Sequence, residues 1–528
     1  MDIPKEKRSH WVMDSVAISA LVLLGKALGF VKEMVIASFF GANVGTDTFF
    51  AAENFISNLS LIIGSAASSV IITHYIKLNC QESAERTKNL MRESFLAFTV
   101  LALILVCVCA LLSPWIARMI GLSYNAAQQN DLIRFLVLMS PIILLNVLSG
   151  VAGGYLDANK RFLPGRTRSL FISVSIIAFL FLFHERFGLY SLSIAYVVAS
   201  LLHSAFVLSL TLPYVGVQLL NPFRDPEFRH MLKRYFPLLA GISVTNFGHI
   251  IDKIIASALE EGNVSFLHYG QAISGDVIST LFVTSIGSVL LTSLTENVAS
   301  QRGEVVLEQV RYVLCAMLAI TLPLSALYLI EGQDLIRLAF EHGNFNMEHT
   351  RTVAVVASCY ALGFPFLAIR DALTRAHYAY RDTFRPMINS IIGVCVNILG
   401  SVYLSRFFGV SGIAVATSFS LLVISIISLV TLKRHMGQLL LNRKLLFDCL
   451  KILSGACCSF LGGYWLYVRM AEQGYVLRMC VVSIIMLCIY GIILFLTRER
   501  IEAYIVQWAI ARWKSKTDNN GKHQFPSF

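Results

Sequence analysis

The sequence predicts an all-α polytopic membrane protein of about fourteen transmembrane helices, from three observations: an apolar composition, long apolar runs from end to end, and basic residues in alternate loops. Of the 528 residues, 56% are hydrophobic and only 14% charged, and the mean hydropathy is +0.68. A chain of that make-up and length does not keep its surface wet as a soluble globule. Crossing the hydrocarbon core takes about 20 mainly apolar residues in a helix, because every backbone polar group there must be bonded internally. Runs of that kind fall near 12–40, 46–76, 93–117, 132–156, 167–185, 188–212, 234–258, 264–297, 311–330, 352–374, 386–405, 409–432, 446–468 and 476–497.

The net charge of +11 is a matter of topology, not a sign of nucleic acid, because the basic residues collect in every second loop. Lys5, Lys7 and Arg8 open the series. Lys77 to Arg92, Lys160 to Arg168, Arg224 to Arg234, Arg302 and Arg311, Arg375 to Arg385 and Lys433 to Lys444 continue it, and the tail from Arg498 to Lys522 closes it. Both termini are therefore expected in the cytoplasm. The eleven cysteines sit mostly in apolar runs without metal-ligand spacing, so they read as small buried hydrophobes, with no structural disulfide expected. No cleavage site of small residues follows the first apolar run, which is expected to stay in the mature protein.

An internal repeat at about 220 residues organises the chain. Gly29, Glu33 and Ile36-Ala37-Ser38 correspond to Gly248, Asp252 and Ile255-Ala256-Ser257; Tyr155 to Pro164 corresponds to Tyr378 to Pro386; Phe187-Gly188 corresponds to Phe408-Gly409. Six spans, an even number, separate the copies, so they share one orientation. The expected organisation is an N-terminal six-helix lobe over 1–222, a second over 223–440, two added helices over 441–500 and a cytoplasmic tail over 501–528. Two such lobes with a cleft between them point to a transporter working by alternating access.

Ionisable residues inside a membrane usually face a cavity or a partner, since each costs about 2.5–3.5 kcal/mol on insertion scales. Lys26 lies near the middle of the first span, and seven residues, nearly two turns, put Glu33 on its face, with Lys32 beside it. Gly25 and Gly29 form a small-xxx-small pair that permits close helix approach or loosens the helix at Lys26. Lys26 reads either as a cavity cation or as a packing residue neutralised by an acid, and Lys32 and Glu33 either as site residues or as groups snorkelling to the interface. Asn246, His249, Asp252 and Lys253 form a polar flank at the repeat-equivalent place in the seventh span. Asp47 follows Thr46 before an apolar run, so an N-cap and a ligand contact both remain open for it. The chain has no phosphate loop, no H-E-x-x-H and no paired-cysteine metal motif, so neither nucleotide hydrolysis nor a bound cofactor is expected. The driving force would be a coupling ion (Na+ or H+), the membrane potential or consumption of the product.

The stretch Leu24 to Glu33, followed by Ile36 to Ala42 and Thr46-Asp47-Thr48-Phe49-Phe50, resembles the N-terminal signature of the MurJ/MviN family of lipid II flippases. His342-Gly343-Asn344-Phe345, then Tyr360 to Pro365 and Tyr378 to Pro386, are similar to that family's R-G-x-F and Y-x-x-x-D-T-x-x-P region. The resemblance implies a member of the multidrug/oligosaccharidyl-lipid/polysaccharide exporter superfamily in a bacterial inner membrane, with two lobes around a cationic cavity and a last helix pair forming a groove for a polyprenyl tail. It also implies that Lys26 and Lys32 stand where the family has cavity arginines and that Asp47 matches the family's aspartate. Cationic side chains in a low-dielectric cavity offset the desolvation of a diphosphate, although lysine lacks the fork of arginine.

Two departures shape the expected substrate. The family's arginine pair in the second span is replaced by Asn58-Leu59-Ser60-Leu61, and its arginine and acid in the eighth by Ala272 and Gly275, with Gln271 and Asp276 beside them. The expected function is therefore a flippase carrying a polyprenyl-diphosphate-linked saccharide of the exopolysaccharide or O-antigen type to the outer leaflet, with lipid II as the alternative substrate. The expected partners are that lipid-linked glycan and membrane lipid, with the chain acting as a monomer. A cation-coupled drug exporter and a membrane enzyme acting on lipid-linked glycans are the further alternatives; the outer loop 331–351, with Asp334, Arg337, Glu341, His342 and His349, is short for an enzyme.

Overall fold

A computed structural model describes residues 5–81, 84–216, 226–278, 303–436 and 442–496, with scattered positions between 290 and 298. The tail 501–528 and most of 279–297, the later part of the expected eighth span, lie outside the described residues. In chain order the helices are α1 (Lys5–Phe40), α2 (Val44–Gln81), α3 (Ala84–Leu111), α4 (Ser113–Ile120), α5 (Ala126–Met139), α6 (Pro141–Ala158), α7 (Leu163–Arg166), α8 (Arg168–Phe187), α9 (Tyr190–Val215), α10 (Pro226–Ser257) and α11 (Asn263–Ile278). They continue with α12 (Gly303–Phe340), α13 (Met347–Ala361), α14 (Phe364–Ala379), α15 (Phe384–Met436), α16 (Arg443–Arg469) and α17 (Tyr475–Leu496). The described residues contain no strand.

Eleven of the described segments are long and apolar enough to cross a membrane. One of them, α15, is two spans, because Gly409 takes φ 57°, ψ −140° in mid-course and breaks it. The helices α1 and α11 stand at the first and eighth expected spans. The fourteen-span reading thus fits, and the polytopic all-α class is what the chain adopts.

Backbone conformation repeats as well. Left-handed φ occurs at Gly41 and Gly262, at Lys160 and Arg381, and at Gly188 and Gly409, and each pair is 221 residues apart. Two of the pairs fall in segments matched by sequence, the Tyr155 and Tyr378 loops and the Phe-Gly junctions. Non-glycine residues adopt this region only where the surroundings enforce it, so its recurrence at Lys160 and Arg381 marks the same turn built twice.

The chain divides into two compact units. Unit 1 comprises residues 1–277, 336–360 and 387–420. Its main core runs from Ile63, Ala67 and Ile71 on α2 through Met91 and Phe98 on α3 and Val147 and Val151 on α6 to Val207 on α9 and Phe228 and Tyr235 on α10. Glycine lets α2 and α6 touch backbone to backbone: a Cβ on Gly150 would lie 2.5 Å from the Gly64 carbonyl oxygen, and one on Gly154 2.9 Å from Ser68 Cα. Unit 2 comprises 278–335, 361–386 and 421–528. Its core joins Val310, Leu314 and Met317 on α12 to Ala372, Leu373 and Ala376 on α14, and Ile330 on α12 packs with Val482 and Met486 on α17. The pair α16 and α17 is tied to α12 by Arg478, whose guanidinium grips Asp334 through both oxygens at 2.7 Å and covers the Tyr467 ring, and by Ser483, which donates to Glu331 at 2.6 Å.

Candidate functional site

Unit 1 contains a cavity of about 290 Å³ against the C-terminal half of the signature helix α1. Lys26, Lys32 and Glu33 line it from α1, Glu53 and Ser57 from α2, Arg168, Ser169 and Ser173 from α8, Tyr196 from α9 and Ala272 from α11. Small residues make the wall. A Cβ on Gly25 would clash with the Ser169 hydroxyl, and one on Gly29 would meet Ser173 at 3.8 Å, so a four-residue small pair on α1 faces a four-residue small pair on α8. The helix α1 runs unbroken through Gly25 and Gly29, and close packing is the place this structure gives them.

Three cations and two carboxylates face the cavity, and their pairing is uneven. Lys32 and Glu33 are both buried and pair at 2.5 Å, while Lys32 also donates to the Tyr196 hydroxyl at 3.2 Å. They are thus fixed inside unit 1, which removes the snorkelling reading. The other Glu33 oxygen meets His268 Nε2 at 3.1 Å, and His268 Nδ1 in turn meets Lys253 Nζ at 3.1 Å; the imidazole lies flat on Phe50, 3.8 Å between centroids. Glu53 accepts from Ser57 at 2.8 Å. Lys26 is half-buried and forms no ion pair among the described residues, though it shares the cavity with Glu33 and Glu53. Arg168 has a buried Nε with no hydrogen-bond partner. With Lys32 paired to Glu33, Lys26 and Arg168 face the single carboxylate of Glu53, so the cavity carries one positive charge in excess, which suits an anion.

The remaining expected site residues lie elsewhere. Asp47 is buried and does not line the cavity: Oδ2 accepts from Gly262 N at 2.6 Å, and Oδ1 accepts from Ser265 N at 2.8 Å and Ser265 Oγ at 2.6 Å. It caps α11, while Asn43, whose Oδ1 takes the amides of Gly45 and Thr46, opens α2. The polar flank of α10 separates. Asn246 is half-buried and donates to the Ile242 carbonyl, and His249 is exposed. Asp252 is buried and accepts from Ser401 at 3.0 Å, with Asn397 and Thr417 also on its carboxylate, whereas Lys253 turns to His268 and the Phe50 ring.

The downstream motif acts as a cap. Asn344 N donates to the Ser38 carbonyl at 2.9 Å, its side chain donates to Phe39 O, and Tyr269 OH reaches Gly41 O, closing the carbonyl end of α1. Gly343 makes this possible with φ +60° and with no room for a Cβ beside Ser38 O.

Comparison with known proteins identifies the family. The family model "Lipid II flippase MurJ" matches residues 36–487. The chain belongs to the MurJ family. Curated relatives, each described as "Probable lipid II flippase MurJ", include that of Borreliella burgdorferi, 24% identical over 79% of this chain and 83% of the relative, and that of Rhizobium tropici, 26% identical over 76% and 77%. The protein of Treponema pallidum matches at 22% identity over 94% of this chain and 97% of its own length. Among solved structures, "Lipid II flippase MurJ, inward closed conformation" superposes with a TM-score of 0.80 at 21% identity, covering 90% of this chain and 98% of that one. An inward-facing MATE family transporter of the MOP superfamily follows with a TM-score of 0.64 at 12% identity, over 79% and 94%. The expected superfamily fold is therefore the fold of this chain. MurJ proteins are flippases, which are transporters and not enzymes, so the membrane-enzyme alternative falls away, and the chain is a multi-pass membrane protein that handles a lipid-linked glycan.

Sequence reading missed Arg168, Glu53 and His268. Arg168 was grouped with the topology-setting basic residues of its loop, and its signal was position: it is the first residue of an apolar run, not a member of the loop before it.

Proposed function

We propose that this protein translocates lipid II, and that the diphosphate of the substrate binds beside Lys26, Lys32 and Arg168. The observation that carries the proposal is a cavity lined by three cations against two carboxylates in a MurJ-family chain. The shared description of the relatives favours lipid II over the exopolysaccharide or O-antigen substrate that the sequence departures suggested. A specific observation keeps the second reading in play: Ala272 lines the cavity at the position where the resemblance implies an arginine, so the binding charge here comes from a different helix.

The cavity lies at the lower edge of the roughly 300–1,000 Å³ usual for small-molecule sites. That volume suits the charged linker of a lipid-linked glycan better than its whole head group, so transport requires a wider state. Alternating access between lobes 1–222 and 223–440, with the chain as a monomer, both termini cytoplasmic and the last two helices along the polyprenyl tail, is part of the same proposal. So is a coupling-ion site at Asp252, whose buried carboxylate accepts from the neutral side chains of Ser401, Asn397 and Thr417. Asp47, Asn246, His249 and Lys253 are proposed as parts of the moving framework around the site, and Gly25 and Gly29 as the contact on which α1 slides.

The test is reconstitution in vesicles with fluorescent lipid II in one set and a polyprenyl-diphosphate-linked exopolysaccharide repeat in another. Movement of lipid II is expected. Movement of the second substrate alone would transfer the role to the exopolysaccharide reading, and movement of neither would end the proposal.

A further inference from the structure

A second cluster of polar side chains, unrelated to the cavity, lies in unit 2 where α14 gives way to α15 and α15 itself ends. His377 comes from the last turn of α14, Asp382 from the turn that follows, and His435 from the last turn of α15. Their ligand atoms all fall within 4.8 Å of one another. His377 is fully buried; Nε2 is engaged by the Thr431 hydroxyl at 3.2 Å, and Nδ1, which has no hydrogen-bond partner, points at Asp382 Oδ2 from 3.4 Å. The same Oδ2 meets His435 Nε2 at 2.7 Å, and the His435 ring is held by stacking on Tyr380, 5.2 Å away and 10° from parallel. Asp382 Oδ1 accepts the Arg385 amide at 3.1 Å, which turns Oδ2 toward the imidazoles.

We propose that His377 Nδ1, Asp382 and His435 Nε2 bind a divalent transition-metal ion, with Zn2+ the best fit, and that the Arg385 guanidinium is the resident cation which the metal displaces. In a tetrahedral zinc site with bonds of about 2.0–2.2 Å the donor atoms stand about 3.3 Å apart; His377 Nδ1 and Asp382 Oδ2 already stand 3.4 Å apart, and side-chain rotation of His435 would complete three of the four ligands. Two imidazoles and one carboxylate form a donor set of the right softness, and the hydroxyl on the far nitrogen of His377 fixes that ring as outer-shell partners of zinc ligands do. Arg385 closes the open side, with Nη1 2.6 Å from His435 Nε2 and 3.3 Å from Asp382 Oδ2. Its side chain is 29% exposed and reaches the cluster from the rim, so it leaves without disturbing the core. The bound ion would pin the end of α15 to the α14–α15 turn. This inference does not depend on the substrate reading.

The experiment uses the full-length protein in detergent, stripped with a chelator and titrated with Zn2+, with Co2+ as a spectroscopic probe of donor set and geometry. One ion per chain is expected, with a tetrahedral Co2+ spectrum and a rise in melting temperature on Zn2+ addition. His435→Ala, at a partly exposed position, is expected to lower affinity at least about tenfold and to abolish the thermal shift. Arg385→Gln is expected to bind more tightly than the parent, the opposite of what a residue that merely supports the fold would do. Absence of saturable binding in both the parent and Arg385→Gln would overturn the proposal, as would binding that His435→Ala leaves unchanged.

Discussion

Lys32 and Glu33 are neighbours in sequence, yet both side chains turn to the same interior, because Glu33 is drawn to His268 and Lys32 to Tyr196 while the two hold each other. Removing one charge from such a buried pair typically costs about 3–5 kcal/mol, since the other is left without compensation. Glu33→Gln is therefore expected to lower the unfolding midpoint markedly in detergent, and Glu33→Gln combined with Lys32→Met to recover part of it; an additive double variant would show that the pair is not coupled. Lys26 differs, because it forms no ion pair among the described residues. Lys26→Ala is expected to keep the parent's melting temperature and lose transport of lipid II, and normal transport by the variant would remove Lys26 from the site. The first-span lysines were legible in the sequence because a charge inside an apolar run is costly and thus conspicuous. Arg168 was not, because a basic residue at a helix start satisfies the topology rule equally well, and only the fold shows that it faces inward. His268 was hidden for another reason: a histidine in an apolar helix is ordinary until Glu33 and Lys253 are found on its two nitrogens.

At the scale of helices, glycine positions decide how closely elements pack. Gly150 and Gly154 on α6 lie against Gly64 and Ser68 on α2 with no space for a methyl group, so Gly150→Leu is expected to separate the helices and reduce the yield of folded protein, measured by monodispersity on gel filtration. The cap on α1 makes a sharper case. Gly343→Ala combines a left-handed φ with a collision against Ser38 O, and a loss of about 1–3 kcal/mol is expected, read as a fall in melting temperature; a neutral outcome would mean that the loop relaxes freely. Helix positions were readable from hydropathy almost throughout, and the Phe-Gly junctions were readable as breaks because Gly188 and Gly409 take conformations that close a helix pair. The motif around Gly343 was readable only as a resemblance. Its physical task, satisfying the orphan carbonyls at the end of a helix some 300 positions upstream in the chain, depends on a contact that no local pattern encodes.

For the whole molecule the open question is what drives the cycle, and Asp252 is where it can be asked. The chain has no nucleotide-binding loop, so the free energy must come from a gradient or from consumption of product. Asp252 is buried, forms no ion pair among the described residues, and shares its pocket with the hydroxyl of Ser401 and the side chains of Asn397 and Thr417. A buried carboxylate held only by neutral donors is a poor place for a charge with nothing bound, and a small hard cation or a proton would relieve it. Its counterpart in the repeat, Glu33, is fully committed to Lys32 and His268, so the two copies of one helix have diverged: the first carboxylate is paired with cations, and the second is held by neutral side chains. Asp252→Asn keeps the shape and one acceptor oxygen for Ser401 but removes the charge, so the variant is expected to fold and to bind lipid II while losing any response to a sodium gradient. The measurement is flipping rate in vesicles at fixed pH with Na+ inside, outside or replaced by K+. Acceleration of the parent by one Na+ direction, absent in Asp252→Asn, would establish sodium coupling at this residue. A parent indifferent to Na+ but driven by a pH difference would assign a proton to the same carboxylate, and indifference to both would leave the membrane potential or product consumption to supply the free energy.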